Sequence, residues 1–139
     1  MPNSKNLQNL KAAYAQWGKS KTTGNIKPLQ DLMADDFKIG SVDEKSPGMT
    51  FAVDRNSKGE AVKYLNAIFD QWEMLHFTPE TFVEQDDRIA MFGKCKYRHK
   101  KTGKEVECAI SNLWEFKDGK AVSLIDLFDS AKAAAAATP

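Results

Sequence analysis

The stretch AISNLWEFKDGKAVSLIDLFDS, residues 109–130, decides how this chain folds. Two apolar runs flank Lys117, Asp118 and Gly119, and within each run side-chain chemistry alternates with the period of two that marks a strand. Cys108, Ile110, Asn112, Trp114 and Phe116 share one face of the first strand, while Glu107, Ala109, Ser111, Leu113 and Glu115 share the other. The first set is the interior. On the second strand both phases are apolar, Val122, Leu124, Asp126 and Phe128 against Ser123, Ile125, Leu127 and Asp129, so the turn must arbitrate. A two-residue Asp118-Gly119 turn pairs Lys117 with Lys120 and sends Asp126 to the face opposite Asn112. A three-residue loop with Gly119 left-handed as a bulge residue pairs Phe116 with Lys120 instead. Asp126 then lies beside Ile110, diagonal to Asn112, on the interior face. The second register is preferred because it groups Leu124 and Phe128 with Trp114 and Phe116.

Working outward, the period-two pattern extends back to Trp72, with strands expected near 74–85, 88–100, 105–116 and 121–129. Turns fall at Asp86-Asp87, Thr102-Gly103 and Asp118-Gly119. The N-terminal half has a different rhythm. Leu7, Leu10, Tyr14 and Trp17 recur at helical spacing behind a cap at Asn3 or Ser4. The segment IKPLQDLMADDF, with Pro28 in its first turn, puts Leu29, Leu32 and Met33 on one stripe of a second helix. Residues 37–42 form a short strand candidate. A loop from Asp43 to Asn56 carries Pro47 and Gly48, with Met49, Phe51 and Val53 alternating like an edge strand. Ser57 and Glu60 form a capping box for a third helix through Ala61, Leu65, Ile68, Phe69 and Trp72. Helices first and a long meander after imply one α+β domain over residues 1–130. The curved, largely antiparallel sheet wraps three helices as a cone whose open end is a pocket. The alanine-rich segment 131–139 reads as a frayed tail.

A chain of 139 residues with 42% hydrophobic content can bury a core without metals or disulfides. Its 20 basic and 19 acidic residues leave no global field for nucleic acid or a membrane surface. The basic cluster Lys94, Lys96, Arg98, Lys100, Lys101 and Lys104 is a solvated hairpin face, with only Tyr97 as a nearby aromatic. Cys95 and Cys108 match no zinc spacing, and His76 and His99 have no paired acid visible, so no metal or cofactor is expected and both histidines read as structural. MPNSKNLQNL has no apolar signal core and no run approaches membrane-spanning length. These features point to the cytoplasm and reduced thiols, with a disulfide across the hairpin as the alternative.

The preferred register gives two chemical expectations. Asp126, buried among Leu124, Phe128 and Trp114, would have a pKa raised by desolvation, which suits general acid/base work; its alternative is a structural hydrogen-bond acceptor. Trp114, Phe116, Phe128, Met91 and Cys95 would line the cavity. On the outer face Phe92, Leu113, Ile125 and Leu127 form an apolar set, expected to pack on a second copy as a homodimer.

The segment TGKEVECAISNLWEFKDGKAVSLIDLFDSA, with LMADDF and the helix start SKGEAVKYL in the same order, resembles the SnoaL-like, ketosteroid isomerase-related branch of the nuclear transport factor 2-like superfamily. The resemblance spans residues 5–130 and implies a cystatin-like cone. It implies an apolar pocket for a small hydrophobic carbonyl compound, and isomerase, cyclase or lyase chemistry without a cofactor. In the ketosteroid isomerases a helix Tyr and a strand Asp donate hydrogen bonds to a dienolate oxygen while a loop Asp moves the proton. Tyr14 falls at the first position and Asn112, still a donor through its amide, at the second. Ser41 aligns best with the loop base, with Asp43 two residues on. In related cyclases an acid toward the end of the last strand is implicated in proton transfer, and Asp126 stands there; Asp129 reads as a terminal cap or interface residue. The Arg and Asp of the limonene epoxide hydrolase type have no counterpart in EVECAISNLW. The superfamily also holds non-catalytic binders, so a ligand-binding or accessory module and a purely structural interaction domain stand beside the enzyme.

Overall fold

The computed structural model describes residues 4–19, 26–41, 49, 52 and 54–139. Ser4 opens α1 (Lys5–Trp17) by accepting the Leu7 amide on its hydroxyl, and Leu7, Leu10, Tyr14 and Trp17 are buried along one stripe. The second helix is one turn only, α2 (Lys27–Gln30), with Pro28 at its start. Met33, expected on that helix, already belongs to β1 (Met33–Gly40), which runs parallel to the last strand with Met33 beside Ala121. The Ala121 amide donates to the Leu32 carbonyl, so sheet pairing takes the backbone groups that a longer helix would use. Ser57 caps α3 (Lys58–Gln71) through the Glu60 amide, while the Glu60 carboxylate pairs with Arg55 and Lys63. In the preceding loop Met49 and Ala52 are buried and joined by a hydrogen bond from the Ala52 amide to the Met49 carbonyl. Asn3, Asp43, Pro47, Gly48, Phe51 and Val53 lie outside the described residues.

The meander follows as β2 (Trp72–Gln85), β3 (Arg88–His99), β4 (Glu105–Lys117) and β5 (Lys120–Phe128). The sheet order is β1-β5-β4-β3-β2, which leaves β2 at an edge where Pro79 costs no ladder bond on a neighbour. Two bulges bend that edge, at Leu75 and at Glu80. Gly93 sits opposite Pro79, and a Cβ there would lie 2.2 Å from the Thr78 carbonyl oxygen, so the bend requires glycine. The sheet curls over α1 and α3, and the core of Leu10, Tyr14, Phe37, Tyr64, Met91 and Trp114 lies between.

The decisive hairpin combines the two registers weighed from sequence. Asp118 and Gly119 both have positive φ, and Lys117 pairs with Lys120, so the turn has two residues. A bulge at Val122 then shifts the register by one, since Phe116 pairs with Ala121 but Glu115 with Ser123. Asp126 therefore stands directly opposite Asn112 on the interior face, and Phe128 takes the place opposite Ile110. The interior placement is as preferred; the diagonal geometry and the three-residue loop are not. Residues 130–137 are also more ordered than expected. Asp129 caps α4 (Ser130–Ala137) by accepting the Lys132 amide, and Ala133 and Ala136 are buried against β3 and β4. Thr102 Oγ1 donates to the Ala136 carbonyl, and Lys104 Nζ to that of Thr138, which anchors the helix end to the β3–β4 turn.

Candidate functional site

Four elements converge on Asp126. From β4, Asn112 Nδ2 donates to Asp126 Oδ1 at 2.8 Å and also to the Ser111 carbonyl at 3.0 Å. From α3, the Tyr64 hydroxyl donates to Asp126 Oδ2 at 2.9 Å. From the end of β1, Ser41 Oγ donates to the Asp126 carbonyl at 2.7 Å. From α1, the Tyr14 hydroxyl donates to Asn112 Oδ1 at 2.6 Å while accepting the Trp114 indole N–H at 2.7 Å. The indole can only donate and the carboxylate only accept, so proton donation runs one way: Trp114 to Tyr14 to Asn112 to Asp126.

This direction shows where the protons of Tyr14 and Asn112 go. The Tyr14 hydroxyl proton and both amide protons of Asn112 are committed inside the protein. Both side chains are buried, at 1% and 5% exposure, and neither lines the cavity. The sequence reading gave them to a substrate oxygen; in the structure Asn112 donates to the Asp126 carboxylate and Tyr14 to Asn112.

Asp126 itself faces an apolar cavity of about 60 Å³, walled by Ile68 and Trp72 from the α3 end, Cys95 and Tyr97 from β3, Val106, Cys108 and Ile110 from β4, and Phe128. Met49 and Ala133 complete it. Cys95 and Phe128 are where the sequence reading placed them. Trp114, Phe116 and Met91 are not in the wall: at 0%, 2% and 0% exposure they pack in the core, behind the row that meets the cavity. Burial pushes the Asp126 carboxyl up to about 6 from 3.8, while hydrogen bonds from Tyr64 and Asn112 pull in the opposite direction. Burial likewise raises the hydroxyls of Tyr14, Tyr64 and Tyr97, with the Asp126 charge adding to each. All three stay protonated donors. Tyr97 differs from the other two in facing the cavity and in spending its proton on Met74 Sδ at 3.5 Å, a weak acceptor.

Sequence reasoning missed Tyr64, Tyr97 and Cys108. Tyr64 was legible, because positions 61, 64, 65 and 68 share one helical face. Tyr97 continues the buried phase of Cys95 but was read only as a lone aromatic in a basic cluster. The two histidines are structural in character. His99 Nδ1 accepts amides of Lys101 and Thr102 and its ring meets Trp72 edge-on; burial lowers its pKa. His76 pairs with Glu107. Among the described residues no group of three or more His, Cys, Asp or Glu side chains is placed to hold a metal ion. No helix among them is long and apolar enough to cross a membrane.

The order of elements and the curled sheet agree with a match at the level of sequence: the SnoaL-like domain family model covers residues 11–124, from α1 into β5. The chain belongs to the SnoaL-like domain family. Solved structures show the same fold. An NTF2-like protein of unknown function from Burkholderia pseudomallei is similar over 99% of this chain and 100% of its own, with a TM-score of 0.80 and 19% identity. TerC, co-crystallised with polyporic acid, is similar over 96% and 98%, with a TM-score of 0.75 and 19% identity. A protein with a ketosteroid isomerase-like fold from Catenulispora acidiphila, in complex with trimethylamine, is similar over 91% and 97%, with a TM-score of 0.71 and 13% identity. No protein of curated function matches the sequence. At these identities the likeness carries the SnoaL-like fold, and the chemistry has to come from Asp126 and its surroundings.

Proposed function

We propose that this SnoaL-like protein catalyses cofactor-free proton transfer on a small hydrophobic carbonyl compound, as an isomerase, cyclase or lyase. One observation carries the reading: among the described residues one carboxyl group, held on both oxygens, faces a largely apolar cavity. Asp126 is the acid/base. Its carboxylate takes a proton from the carbon next to the carbonyl, and the same carboxyl returns it at another atom of the substrate. With a pKa near 6, both protonation states are accessible close to neutrality. Tyr97 takes the part that the sequence reading gave to Tyr14 and Asn112. Its hydroxyl turns from Met74 to the substrate oxygen and stabilises the enolate as charge develops. Asn112, Tyr64 and Tyr14 hold the carboxylate in place.

The test is deuterium exchange from solvent into a panel of small apolar ketones, read by mass spectrometry. Asp126→Asn is expected to slow exchange by about 10²–10⁴-fold, the usual worth of a general acid/base. An Asp126 carboxyl that titrates near its ordinary value of about 3.9 in a carbon-detected NMR titration would remove the chemistry. The second reading is a binder without turnover, supported by the Asp126 oxygens already accepting Asn112 and Tyr64; it predicts ketone binding with no exchange in the wild type.

The assembly and location belong to the same proposal. Phe92, Leu113, Ile125 and Leu127 are 37–48% exposed and adjacent on the outer sheet face, and we assign this face to a second copy of the chain. A cytoplasmic location stays part of this proposal, as expected from the sequence.

A further inference from the structure

The cavity wall carries a second chemistry that proton transfer does not use. Cys95 on β3 and Cys108 on β4 are direct cross-strand partners, both line the cavity, and their sulfurs lie 3.9 Å apart as free thiols. Directly opposed residues of antiparallel strands keep their Cα atoms about 4.5–5.5 Å apart. That separation falls within the ~4.4–6.8 Å a disulfide spans, so joining the two sulfurs needs side-chain rotation and no change of register.

The two sulfurs are unequal. Cys108 Sγ lies within hydrogen-bond reach of the Cys95 thiol and takes the backbone N–H of Asp129 at the start of α4, with Lys132 close by; these favour its thiolate against burial and the Asp129 charge. Cys95 lies deeper, at 2% exposure against 8% for Cys108, and faces the charge of Asp126. Exposure and the helix start beside it favour Cys108 as the thiol that reacts first. A peroxide is scarcely larger than water, which needs about 10–15 Å³ of such space, and the cavity offers about 60 Å³.

We infer that Cys95 and Cys108 form a peroxide-oxidisable pair, in which Cys108 reacts first and Cys95 closes a disulfide within the cavity wall. The Cys108 thiolate attacks one oxygen of hydrogen peroxide. An S–O bond forms, the O–O bond breaks, and the departing hydroxide takes up a proton as water, leaving Cys108 as the sulfenic acid. The Cys95 sulfur then attacks Cys108 Sγ. The S–S bond forms, the S–O bond breaks, and the hydroxyl leaves with the Cys95 proton as a second water. Two thiols are oxidised by two electrons and one peroxide is reduced to two waters. This does not depend on the proton-transfer reading, because Asp126 takes no part in it.

The experiment uses the full chain, reduced, then treated with hydrogen peroxide and examined by intact mass and non-reducing peptide mapping. The expected result is a loss of two hydrogens per chain and a Cys95–Cys108 cross-linked peptide, both reversed by dithiothreitol. In Cys95→Ser, dimedone should trap the sulfenic acid on Cys108. In Cys108→Ser the rate of peroxide reaction should fall about tenfold or more, because the favoured thiolate is gone. Two unmodified thiols under conditions that oxidise free cysteine, oxidation that stops at Cys108 sulfinic acid in the wild type, or Cys108→Ser reacting as fast as wild type would each overturn the inference. Should a variant fail to fold, the wild-type peptide map alone decides.

Discussion

Two rows of side chains on the same pair of strands have exchanged their usual places. On the inner face of β4 and β5, Asn112 and Asp126 stand opposite each other and are buried at 5% and 8% exposure. One residue along, on the outer face, Leu113 and Ile125 stand opposite each other at 37% and 45% exposure. Polar groups are inside and aliphatic groups outside, the reverse of what burial alone selects. A sheet that only needed to fold would gain from swapping them. The inner row is tolerated because each buried polar atom has a partner, and the outer row because something else is expected to cover it. The difference between the rows is what the two proposals rest on, proton transfer at the inner row and contact with a second copy at the outer.

The sharpest way to break the inner half of this comparison is stability against pH. The unfolded carboxyl of Asp126 gives up its proton near 3.8, whereas the folded one keeps it to about 6. Between those values the folded state binds more protons, so stability falls as pH rises through the window and is level above it. Asp126 alone should account for a loss of about 2 kcal/mol between pH 4 and pH 7. Glu60 and Glu105, held low chiefly by hydrogen bonds from Lys63 and Arg98, act with the opposite sign. The measurement is thus the difference between wild type and Asp126→Asn in urea unfolding across that range. A difference that stays flat with pH would mean that the buried acid is not strained by its site.

The outer row is tested by charge. Ile125→Asp puts a carboxylate in the middle of the exposed apolar face, and a two-fold interface would receive it twice. The expected result in sedimentation equilibrium is a dimer dissociation constant raised about 100-fold, with the melting profile of the separated chain nearly unchanged. A wild type that sediments as a monomer throughout would leave the outer row without its second copy.

A smaller effect distinguishes positioning from reaction. Tyr14→Phe removes a hydroxyl that accepts from Trp114 and donates to Asn112, and leaves a buried indole N–H and a buried amide oxygen unpaired. The cost is expected at about 2 kcal/mol in chemical denaturation, with the slope on denaturant unchanged. Ketone binding should survive, since Tyr14 does not reach the cavity. Loss of binding with full stability would return Tyr14 to the substrate.

The contrast between the rows also measures what the sequence could say. Period-two alternation placed Leu113 outside and Asn112 inside without difficulty, because one phase of β4 is plainly amphipathic. Strand β5 carries apolar residues on both phases, so its orientation rested on the turn, and the turn was read as one device when the chain uses two. A tight Asp118-Gly119 turn and a bulge at Val122 together give the interior Asp126 that a three-residue loop was invoked to supply. Bulges have no strong signature in a single sequence, since the extra residue is an ordinary valine. The hydrogen-bond partners of Tyr14 and Asn112 were illegible for a different reason. Their residue types permit donation to a ligand or to a neighbour, and only the direction of a hydrogen-bond chain distinguishes the two. The short second helix was lost to Met33, whose pairing with Ala121 is a contact between distant parts of the chain.

Helix α4 gives the mildest test of how the inner row is closed off from water. Eight residues, six of them alanine, do not hold a helix in isolation, and the segment was read from sequence as frayed. Contacts at both ends hold it: the Asp129 carboxylate on the Lys132 amide at one, and Thr102 and Lys104 of the β3–β4 turn on the carbonyls at the other. Ala133 from this helix reaches the cavity wall, and the Asp129 amide reaches Cys108, so the cap and the cavity share a boundary. Asp129→Ala removes the side-chain cap and leaves that amide in place. The expected cost is about 1 kcal/mol, seen as faster hydrogen exchange of amides 131–134 rather than as a large change in global unfolding. If those amides exchange as slowly in the variant as in the wild type, burial of Ala133 and Ala136 holds the helix and the cap contributes little. If the whole chain is destabilised to the same extent, α4 is part of the cooperative core and does not open on its own to admit a ligand.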